Sequence, residues 1–291
     1  MTDRSGEGTF TPLPLTTVRL GDLIFEVADS GPAGAPAILL LHGFPQSHHC
    51  WDGVVERLNA EGYRTIAPDQ RGYSPGARPP SVADYRIPAL VADAVGILDA
   101  LGVDRAHVVG HDWGAIVAWH VAVRHPERTR SLTALSVPHP AAFSWARRHD
   151  ADQQRRSAYI ELFRREGELE DRLAGRPDAL RGLFVPPLTE QQAAPHLELM
   201  ADRASLTAAL NWYRALSDEA DELGPSTVPT SYLWSTEDQA LGRAGALRCE
   251  QHVTGPYRFV ELDGITHWIP EQDPATVARE ILARAASVPQ D

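Results

Sequence analysis

The chain has 291 residues, a net charge of −12, and 43% hydrophobic and 23% charged residues; this suits one sizeable globular core and gives no electrostatic reason to bind nucleic acid or anionic lipid. No apolar run is long enough to span a bilayer, and the opening MTDRSGEGTFTPLP lacks the basic start and apolar stretch of a signal peptide, so a cytoplasmic protein with a frayed start is expected. Two cysteines, Cys50 and Cys249, sit in no paired spacing, which argues against a disulfide framework or zinc cluster, and all 27 basic residues are arginine, which removes lysine Schiff-base chemistry.

In chain order, TTVRL and LIFEVADSG alternate as an antiparallel pair at a sheet edge. PAILLLHG is a continuous apolar run, as in a buried strand, and leads into amphipathic WDGVVERLNAEG. The pattern repeats as strand YRTIAPD, helix PALVADAVGILDALG, strand RAHVVGHD, helix GAIVAWHVAVRHP and strand RSLTALSVP. Strands alternating with helices imply a mostly parallel sheet covered on both faces. From about Pro138 the alternation stops, and segments such as QQRRSAYIELFRREGELEDRL and TAALNWYRALSDEADEL carry only helical spacing. Strands resume at VPTSYLWSTED and YRFVELDG, with ALGRAGALRCEQHV between them and PATVAREILARAAS as the closing helix. The expected organisation is a core of 1–138 and 224–291 carrying a helical cap of 139–223.

GHDWG (110–114) sits where a strand gives way to a helix. Such an elbow strains its central residue and tolerates only small neighbours, so Gly110 and Gly114 display Asp112 at the strand's end, before a helix N-terminus that favours a carboxylate. A carboxylate there can displace a leaving group from saturated carbon and form an alkyl-enzyme ester. Water must then attack the Asp112 carboxyl carbon, which requires a base and an oxyanion pocket. His267, in the loop before the final helix, is the expected base. Asp238, in the loop after the preceding strand, is the acid that would orient it, with adjacent Glu237 as its rival. The pocket is expected from the backbone N–H groups of Trp113 and Phe44, the latter turned inward by Gly43 and Pro45, while His42 reads as a structural hydrogen-bonding residue beneath that turn.

HGFPQS (42–47), DQRGYS (69–74), GHDWG, SVPHP (136–140), NWYRA (211–215) and the Asp238 and His267 loops together resemble the α/β-hydrolase fold in its epoxide hydrolase branch, over nearly the full chain. The resemblance implies a mostly parallel sheet flanked by helices, with a helical cap insertion, and the order nucleophile, acid, histidine. It puts Asp238 ahead of Glu237. It also implies two cap tyrosines, Tyr159 and Tyr213, as proton donors to the epoxide oxygen, and Phe44, Trp113 and Trp212 as substrate contacts. A small-molecule epoxide is the implied partner and no cofactor or metal is implied. Activity is expected to fall at acid pH as His267 becomes protonated. Two residues depart from the pattern: Ser235 and Ala115 stand where relatives commonly have glycine, and little consequence is expected. Trp113 stands where haloacetate-cleaving relatives place arginine. The alternatives that remain are a haloalkane dehalogenase using Trp113 as half of a halide cradle, and a non-catalytic ligand-binding protein on the same fold.

Overall fold

A computed structural model of the protein describes residues 13–216 and 223–289. Most of the opening segment read as frayed, and the end of the helical region at 217–222, lie outside the described residues. The expected edge pair is β1 (Leu15–Leu20) and β2 (Leu23–Ser30), which run antiparallel with Leu15 opposite Ala28. β3 (Ala37–Leu41), α1 (Asp52–Ala60), β4 (Arg64–Pro68), α2 (Ile87–Ala100), β5 (Ala106–His111), α3 (Trp113–Arg124) and β6 (Thr129–Leu135) follow the expected alternation. Then come α4 (Pro140–His149), α5 (Ala151–Arg156), α6 (Tyr159–Arg164), α7 (Glu168–Leu173), α8 (Pro177–Arg181), α9 (Glu190–Leu199) and α10 (Arg203–Arg214), with no strand among the described residues of this stretch. β7 (Thr230–Ser235), α11 (Arg243–Arg248), β8 (Tyr257–Leu262), α12 (Ile269–Gln272) and α13 (Pro274–Ala286) complete the chain.

The eight strands form one sheet in the order β1-β2-β4-β3-β5-β6-β7-β8. β2 pairs with β4 antiparallel, and from β4 to β8 every pairing is parallel. Period-two alternation sends Leu39, Leu41 and Val108 into one apolar cluster with α2 and α3, and Ile38, Leu40 and Val109 into another with α1 and α13. Every residue of β3 and β5 is therefore buried, each large side chain contributing about 1.5–3 kcal/mol. The helical segment expected over 153–173 is broken into α5, α6 and α7, because Ser157 and Ala158 cap two of its ends and Gly167, at φ +82, starts α7 in a left-handed turn. Among the described residues no helix is long and apolar enough to cross a membrane.

What positions the site is how tightly α3 sits on the sheet. Small residues, Gly114, Ala115 and Ala118, face buried surroundings, and a methyl group added at Gly114 would meet the carbonyl of Leu41, while one at Gly110 would meet that of Gly114. Neither obstacle is a movable side chain. Gly114→Ala should therefore destabilise the fold by about 3 kcal/mol, the upper end of ordinary overpacking, with a correspondingly lower denaturant midpoint at an unchanged slope; a midpoint equal to that of the parent protein would show that the elbow has slack.

Candidate active site

Asp112 occupies the turn between β5 and α3 at φ 53 and ψ −120, a conformation non-glycine residues rarely adopt. The strain turns its carboxylate away from the sheet, toward the loop that follows β3. There Gly43 has no side chain, and a methyl group at that position would run into the Asp112 carboxyl. The turn is closed by Gln46 N–H on the Gly43 carbonyl at 2.9 Å, with a cis Phe44–Pro45 peptide inside it. Phe44 N–H then donates to Asp112 Oδ1 at 2.8 Å, and the Trp113 N–H also acts on the carboxylate. Both groups expected to form an oxyanion pocket address the carboxylate of Asp112 itself. His42 lies beneath, its Nδ1–H donating to the Gly43 carbonyl at 3.0 Å and its Nε2 accepting Gln70 N–H at 3.1 Å. Burial pushes His42 down to about 4, so it is a neutral strut.

His267 stands between two carboxylates. Its Nε2 is 3.6 Å from Asp112 Oδ2, and its Nδ1 is 3.1 Å and 3.2 Å from the two oxygens of Asp238. Of the two rivals, Asp238 is fully buried against the imidazole, whereas Glu237 is exposed. Asp238 also accepts from Ser136 Oγ at 2.7 Å and from the N–H groups of Ala240 and Leu241 at 2.8 Å and 3.0 Å. Burial opposes charge on all three groups, but their mutual attraction outweighs it. His267 is pushed up to about 10, against burial, by Asp238 and Asp112. Both carboxyls are held below their ordinary range, against burial, chiefly by the imidazolium.

Several residues that position this array have no expected role. Ser136, itself at φ +66, bridges Asp238 and the His267 Nδ1 edge. His111 Nε2 donates to the His267 carbonyl at 2.8 Å, and its Nδ1 faces the Gln46 amide at 2.9 Å. Ser235, where little consequence was expected, donates to the Thr266 carbonyl at 2.8 Å, one residue before the histidine. SVPHP marked Ser136 as part of a motif, but the positive φ that gives it a task leaves no mark in residue type.

Across from Asp112, Tyr159 and Tyr213 line the chamber, their ring centroids 6.2 Å apart. Phe44, Trp113 and Phe163 surround Tyr213 at 5.0–5.4 Å, all edge-on. Burial, with the Asp112 charge adding to it, raises both phenols above their ordinary range, so both stay protonated. The chamber has two lobes that share Asp112 and the tyrosines. One, of about 280 Å³, lies under α4 and α6; the other, of about 340 Å³, lies between the Phe44 turn, the segment Leu183–Pro187 and the His267 loop. Trp212 departs from expectation: it lines neither lobe, because its indole N–H donates to the Arg71 carbonyl at 2.8 Å and its ring is packed behind Trp113, centroids 5.6 Å apart. It supports the aromatic wall from behind.

The alpha/beta hydrolase fold family matches residues 36–274. The AB hydrolase superfamily protein YfhM of Bacillus subtilis is 35% identical over 91% of this chain and 95% of its own length. Epoxide hydrolase A of Mycobacterium tuberculosis is 32% identical, with 88% and 92% of the two chains covered. Among solved structures, Epoxide Hydrolase A from Mycobacterium thermoresistibile superposes with a TM-score of 0.85 at 28% identity, covering 96% of this chain and 99% of that one. The chain thus belongs to the alpha/beta hydrolase fold family and, within it, to the epoxide hydrolases.

The contrast between neighbours in the acid loop is directly testable. Asp238→Asn removes the charge that holds the imidazole, and turnover of an epoxide such as styrene oxide should fall at least about a thousandfold, as when other triad acids are replaced. Glu237→Gln should stay within about twofold, as expected of an exposed side chain away from the chemistry. Equal losses in the two variants would return the assignment to the open choice between them.

Proposed function

We propose that the protein hydrolyses epoxides to vicinal diols through an ester on Asp112. The observation that carries this reading is the division of labour on one carboxylate: Oδ1 is held by the Phe44 N–H, while Oδ2 faces His267 and the chamber. Oδ2 attacks an oxirane carbon, the C–O bond breaks, and its electrons pass to the ring oxygen, which takes a proton from Tyr159 or Tyr213. Oδ1 becomes the ester carbonyl, already in place against the backbone donors. Water then adds to the Asp112 carboxyl carbon, His267 accepts its proton, and the Phe44 and Trp113 N–H groups bear the oxyanion. Collapse releases the diol, whose departing alkoxide takes the proton back from His267; the proton left on the Asp112 carboxyl then passes to His267, and the proton that His267 shed after alkylation has returned the tyrosinate to a phenol, so the resting charges are restored. The names of the relatives support epoxide hydrolysis, the outcome of these steps. The dehalogenase alternative is less well supported, because two protonated phenols line the chamber with Asp112, donors suited to a developing alkoxide.

The histidine's raised pKa gives the cycle an order. While Asp112 is ionised, His267 is held as a cation and cannot act as a base. Alkylation turns one of its two carboxylate partners into a neutral ester, which lowers the imidazole pKa and frees the proton. The base is thereby switched on by the step that precedes its use.

In ¹⁸O-water, a single turnover should place label in Asp112 and none in the diol, and His267→Gln should accumulate the alkyl ester, visible as a mass increase equal to the substrate. Ester hydrolysis should fall on the acid side as the imidazole of the alkylated enzyme is protonated, while alkylation, which needs ionised Asp112 and protonated phenols, stays level through neutral pH. Label in the diol on the first turnover, or one acid limb shared by both steps, rules the covalent scheme out.

The tyrosines are tested separately. Each single Tyr→Phe change at 159 or 213 should slow alkylation on the order of tenfold to a thousandfold, the usual effect of removing one preorganised donor, and the double change should nearly abolish it with the fold intact. Near-normal epoxide opening by the double variant would reduce both residues to packing.

A further inference from the structure

The two chamber tyrosines stand on different helices, so donation by both to one oxygen requires those helices to keep a fixed spacing. Tyr213 lies near the end of α10, which is tied to the core one residue earlier, where the Trp212 indole N–H donates to the Arg71 carbonyl at 2.8 Å. Tyr159 opens α6, a helix of six residues, too short to hold its pose by its own hydrogen bonds. The approach to α6 is held through Ser157, whose hydroxyl accepts from the Gln153 amide at 2.9 Å. Its far end meets Arg214 of α10. Arg214 Nη2 donates to the carbonyl of Arg165, the residue that closes α6, at 3.2 Å, and to Glu170 Oε1 of α7 at 2.8 Å, while Nη1 donates to Asn211 Oδ1 at 3.2 Å. Arg164 adds a longer contact, its Nη2 donating to the Leu216 carbonyl at 3.5 Å.

The brace behind this guanidinium is itself buried. The Arg214 side chain is 7% exposed and that of Glu170 1%, so water screens little of their attraction. Burial opposes charge on Glu170, but its own backbone N–H and the Arg214 guanidinium hold the carboxyl below its ordinary range. Glu170 Oε1 also accepts from Thr207 Oγ1 at 3.0 Å, and Thr207 lies two turns before Arg214 on the same face of α10. The position of α6 is thereby referred to α10, and that of α10 to the core. Moving α6 away from α10 would carry Tyr159 off the oxygen that Tyr213 addresses, yet leave Asp112, His267 and the backbone donors in place, because those groups sit on the core.

We infer that Arg214 is a positioning residue for the first chemical step: braced by Glu170, it holds α6 against α10 so that the Tyr159 and Tyr213 phenols converge on the same epoxide oxygen. The inference rests on the epoxide-hydrolysing reading above and deepens it. Arg214 lines neither lobe, so its effect reaches the substrate through the tyrosines. The task suits an arginine, whose planar fork serves several acceptors at fixed angles, as the compact charge of a lysine does not.

Single turnovers of styrene oxide by the full chain separate ester formation on Asp112 from ester hydrolysis. Arg214→Lys keeps a charge beside Glu170 but loses the fork that also reaches Arg165 and Asn211. It should slow ester formation by about tenfold to a hundredfold, the cost of an ångström-scale misplacement, with ester hydrolysis within about twofold of the parent. In a Tyr159→Phe background the same change should cost less than about twofold, because the hydroxyl that it misplaces is already gone. Glu170→Gln should give the same pattern at smaller size, and it carries the test if Arg214→Lys does not fold. Ester formation at the parent rate, an equal loss with and without the Tyr159 hydroxyl, or equal slowing of both steps overturns the inference and leaves epoxide hydrolysis standing. A parent enzyme that forms no ester on Asp112 overturns the reading of the reaction and the inference with it.

Discussion

Everything around the site serves to keep one carboxylate ionised where water is scarce. A buried carboxylate without partners is worth several kcal/mol of destabilisation and responds by taking up a proton. Asp112 avoids this through two backbone N–H groups and an imidazolium. The Phe44 donor exists because Gly43 lets the chain pass close to Asp112. The Trp113 donor exists because α3 begins there, pressed onto β3 by a glycine. The imidazolium exists because a second buried carboxylate, Asp238, stands behind it.

The arrangement also explains why the supporting residues are so heavily hydrogen-bonded. Asp238 takes three hydrogen bonds besides the histidine, from Ser136, Ala240 and Leu241, so it stays a counter-ion when the charge on its partner changes. His111 and Ser235 hold the backbone on either side of the imidazole, through the carbonyls of His267 and Thr266. A ring anchored in this way can trade protons without trading position, as preorganised catalysis demands.

Much of this was legible in residue order. Continuous apolar runs became the buried parallel strands, the alternating pair became the antiparallel edge, and a glycine-flanked aspartate at a strand end became the elbow. Those features are local, and their physics is written in side-chain periodicity and size. Ser136 and His111 were not legible, because their tasks depend on a positive φ and on which loops meet above the sheet. Trp212 was misplaced for a related reason: adjacent residues on a helix point about 100° apart, so a motif that sends Tyr213 into the chamber sends its neighbour behind the wall.

The helices between β6 and β7 are fastened to the core at the loops that carry Asp238 and His267. Gln153 of α5 spans the acid loop, donating to the Ala240 carbonyl and accepting from Gly242, and Arg156 grips the Asp238 carbonyl. On the other side Gln192 of α9 donates to the Glu271 carbonyl, four residues past His267. Lifting this roof at either anchor would therefore loosen the Asp238 loop or the segment that follows His267. The geometry around His267 and the seating of these helices are therefore one mechanical unit, tied at both ends by side-chain amides.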